Sequence, residues 1–523
     1  MRVEGETVVI KSVWFSLAWK EWHEHKWKLA AIVAVLVGVS SSVSLLATDG
    51  DRFGLAVGML FLCTFPLAFF LGLGAAASER ARGTLPFLHS LPVPLWRIAL
   101  TKLVAGLLTI VVSVALTMVT FPVWQLVFDL FGVRYGPSLP ELANSVANLG
   151  TGSWYLDFIL AFATLGASVF LWSAATGVNR KDEVSAGAMA LAVTVGWYLV
   201  LFAVGYAIIP WGKSDLDISP VVGWIVITGL STAPFGFAPA LEMANETYAL
   251  LWPVIITAVV THLALATWYV CRFGKVATGS VRSPQAAVPV NRRLEWLGPP
   301  RRSAFSALAW KQFRESGTIA FAGLVGIVGT SLFIAMFDSY AKFQEIYATV
   351  SISLGFCIAL VAGIGIVLQE LIPQLNNFWR SRPINPDLWF WTKFATGLAV
   401  VVLAIYVPLA LLTEFGTSGF VDREAILLCP ALHVAAFAAA VAMTCLVRHA
   451  IYAAVLSIGV IGFSIVVAAG IAWIATAVRS GTLPEWQEPT TTIVLSGLVG
   501  CFVFGTLLAW LAARNDWGQK SRY

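Results

Sequence analysis

Few residues of this chain are placed to do chemistry. Within or beside its long apolar runs the ionisable groups include Asp157, Glu242 and Glu414, each near the end of a run, and two histidines, His262 and His433, set deeper. His433 lies about eight residues, or ~12 Å of helix, inside its run. An ionisable group at that depth is a candidate intramembrane polar site for an ion or a proton, while a neutral imidazole hydrogen-bonded to a neighbouring helix is the cheaper arrangement. His23 and His25 are two residues apart, on different sides of a helix, and make a poor metal pair. The nearest approach to a phosphate-binding loop is Trp211-Gly212-Lys213-Ser214, but Ala207 stands where the pattern needs its first glycine. Gly274-Lys275 fails likewise, lacking a following Ser or Thr. No clustered Asp, Glu and His set suits a metal or an acid–base pair. The expectation is therefore no catalytic residue, no metal and no directly bound cofactor: a protein that is not itself an enzyme.

The elements that position these groups are set by composition. With 59% hydrophobic residues, 12% charged residues and a mean hydropathy of +0.82 over 523 residues, a set of soluble domains is excluded. In hydrocarbon every backbone N–H and C=O must be satisfied within the protein, and long apolar runs select helices over a barrel. The expected class is all-α and polytopic. Runs long enough to span, roughly 20 residues, fall near Leu29–Ala47, Phe53–Ala77, Ile98–Phe121, Trp154–Val178, Val184–Ile209 and Leu250–Cys271. They recur near Thr318–Phe337, Ile346–Leu368, Phe394–Thr413, Ala425–Val447, Ile451–Ala477 and Thr491–Ala513. The six cysteines lie in or beside these runs without CxxC spacing and read as packing residues. Gly54 and Gly58 form a GxxxG that predicts a close helix contact.

The formal charge of +5 sits in short clusters between runs, which is topology information and no nucleic-acid stripe. Basic residues alternate sides, so the positive-inside rule places both termini in the cytoplasm. Pro220 to Met243, broken by Pro234, Gly236 and Pro239, then reads as a re-entrant or interfacial hairpin on the outer side. Residues 1–273 form a first six-helix half, the Pro- and Arg-containing stretch 274–303 a cytoplasmic linker, and 304–523 a second half. An even number of spans per half gives two parallel six-helix repeats, twelve spans in all.

A constant spacing supports that division. Glu79 and Glu370, Pro92 and Pro383, and Lys102 and Lys393 are each 291 positions apart, as are Trp19 and Trp310, and Lys20 and Lys311. Each half opens with an amphipathic stretch, Ser12 to Lys28 with Trp19, Lys20 and Trp22, then Phe305 to Glu315 with Trp310, Lys311 and Phe313. Aromatic and polar residues take opposite arcs, which suits helices lying in the bilayer headgroup region. After the second span of each half comes a polar loop, with Leu85, Phe87, Leu88 and Leu91 forming a short amphipathic run that Pro92 and Pro94 stop. Topology alone would not require Pro92/Pro383 and Lys102/Lys393 to stay in register, so these loops read as contacts for a cytoplasmic partner.

The order of an LAWKE-type helix, a span, a second span ending in glutamate, and E-R-x-R-G-T-L-x-x-L-x-S-L-P-V before a lysine resembles permease subunits of ABC-2 type ABC transporters. The likeness covers the first three spans of each half, with both permease halves fused in one chain. It implies a transmembrane exporter subunit in a bacterial cytoplasmic membrane, carrying an unidentified substrate. ATP and Mg would be bound by a separate ATP-binding subunit, in two copies. It also implies that Glu79, Arg80, Arg82, Gly83, Thr84 and Pro92, with Lys102, form a coupling loop on that partner. In the second half Glu370, Ser381, Pro383 and Lys393 match, whereas Gln374 and Leu375 replace Gly83 and Thr84, and Phe378, Trp379, Arg380 and Arg382 fill the loop. The alternative is an ion-coupled secondary transporter of two six-helix repeats, for which His262 and His433 are the main coupling candidates.

Overall fold

The computed structural model describes residues 3–46, 52–81, 83–130, 154–180, 183–208, 220–234, 236, 240, 248–275, 304–337, 343–368, 370–371, 376, 385–415, 423–480 and 491–516. Among these every regular element is a helix. In chain order they are α1 (Val3–Leu46), α2 (Arg52–Ala81), α3 (Leu85–Ser90), α4 (Leu95–Leu130), α5 (Trp154–Gly177), α6 (Glu183–Ile208) and α7 (Pro220–Ser231). There follow α8 (Tyr248–Arg272), α9 (Ala304–Phe337), α10 (Phe343–Leu368), α11 (Pro386–Phe415), α12 (Arg423–Val447), α13 (Ala450–Ser480) and α14 (Thr491–Asn515). Among the described residues ten helices are long and apolar enough to cross a membrane: α2, α4, α5 and α8 to α14. The chain is an all-α, polytopic membrane protein. Most of the linker at 276–303, and the Trp211–Ser214 stretch, lie outside the described residues.

One expectation changes. The sequence places a headgroup-lying helix before the first span and before the seventh, but α1 and α9 each run through both stretches without a break. The reason is which arc packs. Phe15, Trp19 and Trp22 are 71%, 56% and 52% exposed, whereas Glu21, between the aromatic and polar arcs, is 2% exposed. Phe305, Trp310 and Phe313 are likewise exposed while Gln312 and Ser316 are buried. The arc that packs inward carries Glu21 in α1 and Gln312 with Ser316 in α9, while the aromatic side chains face outward together with Ser16, His23, Lys311 and Arg314. Exposed tryptophans at this level suit a membrane–water boundary.

Helix packing depends on two glycine pairs. A Cβ on Gly72 would stand 2.6 Å from the carbonyl oxygen of Phe170, and one on Gly106 2.4 Å from the Phe170 ring. A Cβ on Gly363 would stand 2.7 Å from the carbonyl of Phe437, and one on Gly397 3.2 Å from the Phe437 ring. Both pairs are 291 positions apart, and each lets one phenylalanine, fully buried, wedge between three helices. Gly58, by contrast, has nothing among the described residues within 4 Å of its Cβ position, so no close contact of the kind predicted for the GxxxG is seen there. On this geometry Gly72→Ala and Gly363→Ala should each cost about 1–3 kcal/mol through overpacking. Gly500→Ala, with open space at its Cβ, should cost nothing. Unfolding temperatures of the three purified variants in detergent check this, and equal temperatures would refute it.

The two parts of the chain interlock. Helix α1 packs against α13, and α9 packs against α6. In the second part α12 is the central helix, touching α10, α11, α13 and α14. Its run from Ala435 to Ala442 is completely buried, because alanines admit neighbouring backbones closely.

Candidate functional site

The site begins at the end of α2. Gly83 has φ +71°, a left-handed conformation that costs glycine little. It allows Gly83 N–H to bond the Arg80 carbonyl at 3.1 Å and Thr84 N–H to bond the Glu79 carbonyl at 2.9 Å, the paired bonds of a Schellman cap. Thr84 Oγ1 donates to the Glu79 carboxylate. Gly83 and Thr84 thus serve as the stop that fixes Glu79. Immediately beyond, α3 buries Leu85 and Leu88 and leaves Pro86, Phe87, His89 and Ser90 exposed, Phe87 by 63%.

Arg80 ties three helix ends together. Its guanidinium donates to the Asn179 carbonyl at 2.6 Å, to Asn179 Oδ1 at 3.2 Å and to the Lys275 carbonyl at 3.4 Å. Asn179 Nδ2 donates to the Arg272 carbonyl at 2.7 Å, and a His89 ring N–H donates to the Gly274 carbonyl at 3.1 Å. A cation sits well where α2, α5 and α8 all present carbonyls. Arg97 lies over the rings of Trp14 and Trp96 at 5.6 and 5.3 Å, fixing the start of α4 to α1.

Glu79 is the hub of a buried charge cluster. Lys102 Nζ lies 2.7 Å from Glu79 Oε1, 3.4 Å from Glu21 Oε1 and 3.8 Å from Glu24 Oε2. Lys20 Nζ is 3.3 Å from Glu24 and 3.7 Å from Glu79. Lys102 is 4% exposed. One cluster therefore joins α1, the end of α2 and the start of α4. His25 completes it: Thr109 gives its own proton to the Ala105 carbonyl, so His25 Nδ1–H donates to Thr109 Oγ1 at 3.0 Å. His25 Nε2 then faces Glu21 Oε2 across 3.8 Å, an oxygen with no hydrogen-bond partner among the described residues.

A second cluster has the same frame and fewer charges. Lys393 Nζ is 3.0 Å from Glu370 Oε1 and 2.8 Å from the Ile366 carbonyl. Lys311 also pairs with Glu370, and Trp389 Nε1 donates to Glu370 Oε2 at 2.6 Å. Gln312 stands where Glu21 would be, 291 positions on. The helix-end staple is rebuilt too. Arg448 and Asp516, in left-handed conformations with φ of 54° and 55°, form an ion pair. Asn376 Nδ2 donates to both Asp516 oxygens at 3.2 and 3.3 Å.

The sequence reading reached Glu79, Lys102, Glu370, Lys393, Lys20 and Lys311, and the structure brings the first two and the next two together in buried pairs. It missed Glu21, Glu24 and Trp389. The 291 spacing that pairs Glu21 with Gln312 was the available signal. Trp19, Trp22, Trp310 and Phe313 stay outside both clusters, facing outward. Pro92 is exposed between α3 and α4. Arg82, Arg380, Arg382, Pro383, Gln374 and Leu375 lie outside the described residues. The two deep histidines are both engaged: His262 by the Ala258 carbonyl and Ser168 Oγ, each at 2.7 Å, and His433 by Tyr406 and by the Ile352 carbonyl at 3.0 Å.

The clusters carry a pH dependence of definite sign. Burial alone would raise the Glu370 carboxyl, but Lys393 and Lys311 hold it below the usual carboxylate range. Burial, aided by Lys28 and Lys102, pushes His25 down to about 3. An unfolded chain binds a proton at His25 below its ordinary value of about 6.5, and the folded chain does not. Stability from His25 is thus complete above pH ~6.5 and falls as pH drops toward 3, and Glu370 adds loss at the acid end as it takes up its proton. His25→Gln should flatten the slope between pH 6 and 4 in a denaturant titration. An unchanged slope would refute the assignment.

No family model matches this chain, and no curated protein matches it either.

Proposed function

We propose that this chain is the membrane-embedded permease of an ABC-2 type exporter, with twelve spans in two fused parallel halves, both termini in the cytoplasm, and ATP hydrolysis supplied by two copies of a separate ATP-binding subunit. The observation that carries the reading is the pair of buried lysine–glutamate hubs, Lys102–Glu79 and Lys393–Glu370, at equal spacing. Each hub joins the long opening helix of its half to the end of the next span and the start of the one after. Such a hub transmits force. Pressure on α3 from below reaches Glu79 through the Gly83–Thr84 cap, and from Glu79 it passes to α1 through Lys20 and to α4 through Lys102. Buried charges resist rearrangement, because separating one leaves its partner uncompensated, so the three helix ends move as one body.

The duplicated halves are further supported by features in which register is lost. Phe170 and Phe437 fill equivalent places 267 positions apart. Arg272 over Trp268 at 4.5 Å and Arg514 over Trp510 at 5.4 Å repeat one arrangement 242 positions apart. Two parallel halves rocking about an axis along the membrane normal could alternate access to a site between them.

The test is co-purification of the full chain with a Walker-motif ATPase encoded beside it. A stable complex, lost when Glu79→Gln and Arg82→Ala are combined, is the expected result. Transport by the chain alone, without nucleotide and collapsing with the proton gradient, would overturn the reading in favour of an ion-coupled transporter.

A further inference from the structure

At the helix ends away from the charge clusters, α1, α2, α10, α12, α13 and α14 line a half-open cavity of about 330 Å3, within the range of small-molecule sites. Among the described lining side chains the only heteroatoms are the sulfurs of Met59, Cys63 and Cys429. Helix α13 gives its depth. Ile451 lines a small cavity shared with Lys102, and Ile458 to Ile465 line the large one, ~10–21 Å farther along the same helix.

A second cavity, of about 30 Å3, occupies the corresponding place in the other half. Phe65, Thr330 and Leu354 line it at positions 291 from Phe356, Val39 and Cys63, which line the first. The difference is a plug. Pro234, just after α7, lines the smaller cavity with Trp172 and Tyr198. The turn is held there by Trp172 Nε1, which donates to the Thr232 carbonyl at 3.1 Å, and by Trp197 Nε1, which donates to Thr232 Oγ1 at 3.0 Å. Leu230 and Ala233 bury against Tyr198 and Val254. Between α13 and α14 the chain has residues 481–490, against 209–247 between α6 and α8.

We propose that the larger cavity binds the alkyl chain of an amphiphile, which takes the place that the chain's own apolar turn takes in the other half. Among the described residues the lining contains no charge and no group to hold a sugar or a phosphate. Nearby polar side chains are engaged with one another: Nε2–H of His433 donates to the Ile352 carbonyl at 3.0 Å, so its Nδ1 accepts the Tyr406 hydroxyl proton, and Cys429 Sγ lies 3.9 Å from that hydroxyl. The ligand's headgroup therefore stays outside, and chain length is what the cavity reads. This inference does not depend on the export reading, since binding is a property of the chain alone.

The test is cross-linking of the purified full chain in detergent with a diazirine-bearing long-chain fatty acid. The expected adducts fall on peptides of α13 or α14, and unlabelled long-chain but not short-chain fatty acid competes. Ile461→Trp and Leu498→Phe, which fill the cavity, should each lower the yield about tenfold, roughly 1.4 kcal/mol of binding, with little change in unfolding temperature. On the unaltered chain, the long-chain acid should also slow modification of Cys429 by N-ethylmaleimide. Adducts confined to outward faces such as Val259 and Leu263 of α8, or no protection of Cys429, would overturn the proposal. Loss of cross-linking in a preparation that still co-purifies with an ATPase would sink this inference and leave the export reading standing.

Discussion

Replacing Lys102 with methionine should destabilise the protein by about 3–5 kcal/mol, the cost of stranding buried charge. Lys102 is the ammonium common to Glu79, Glu21 and Glu24, and Glu21 is 2% exposed. Lys20, the other cation of the cluster, has a side chain 42% exposed and cannot neutralise the interior alone. The equivalent change in the second half, Lys393→Met, should cost less. Glu370 keeps Lys311 and the Trp389 N–H, and Gln312 replaces the extra carboxylate. Combining Lys102→Met with Glu79→Gln should recover part of the loss, since the best-placed carboxylate is neutralised with its partner. Denaturant unfolding of the three variants in micelles measures the order. If Lys102→Met unfolds no earlier than Lys393→Met, the cluster does not organise these helix ends.

The second large effect is functional. Phe87→Ala should leave the fold intact, because the ring is 63% exposed and α3 stays anchored by buried Leu85 and Leu88. If α3 seats in a groove of an ATP-binding subunit, Phe87 is the aromatic anchor, and such residues are commonly worth about 2 kcal/mol or more, roughly 30-fold in affinity. Co-purification of the ATPase and nucleotide-driven transport should fall together while unfolding temperature stays constant. Retained transport in Phe87→Ala would remove α3 from the coupling path.

Much of the fold was legible because hydrocarbon imposes one rule on every run: backbone polar groups must be satisfied within the helix. The spans were read from length and apolarity, and ten of them have described helices that qualify. Lys102 and Lys393 were legible because a lysine near the end of an apolar run, kept at constant spacing from a glutamate, has few other reasons to exist. What was hidden depends on side-chain direction. Glu21 and Trp19 are neighbours in sequence, and only packing shows that the acidic arc turns inward. On the proposed duplication, later helices escaped because the constant 291 spacing ends after the third span. Their correspondence lies in single contacts, such as Phe437 on Gly363 and Gly397, that no run of matching letters signals. Asn179, Arg448 and Asp516 were invisible for another reason: non-glycine residues in left-handed conformations at helix ends take their partners from remote loops.

The plug beside Trp172 and Trp197 bears on stoichiometry. A transporter assembled from two identical halves would offer two equivalent apolar cavities and could carry two ligands for each pair of ATP molecules. In the proposed fusion the halves are free to diverge, and here the turn after α7 lines the smaller cavity, while described side chains of the spans line the larger. The proposed transport cycle would then move one ligand for two nucleotides, with one half acting as a permanent strut and the other as the carrier.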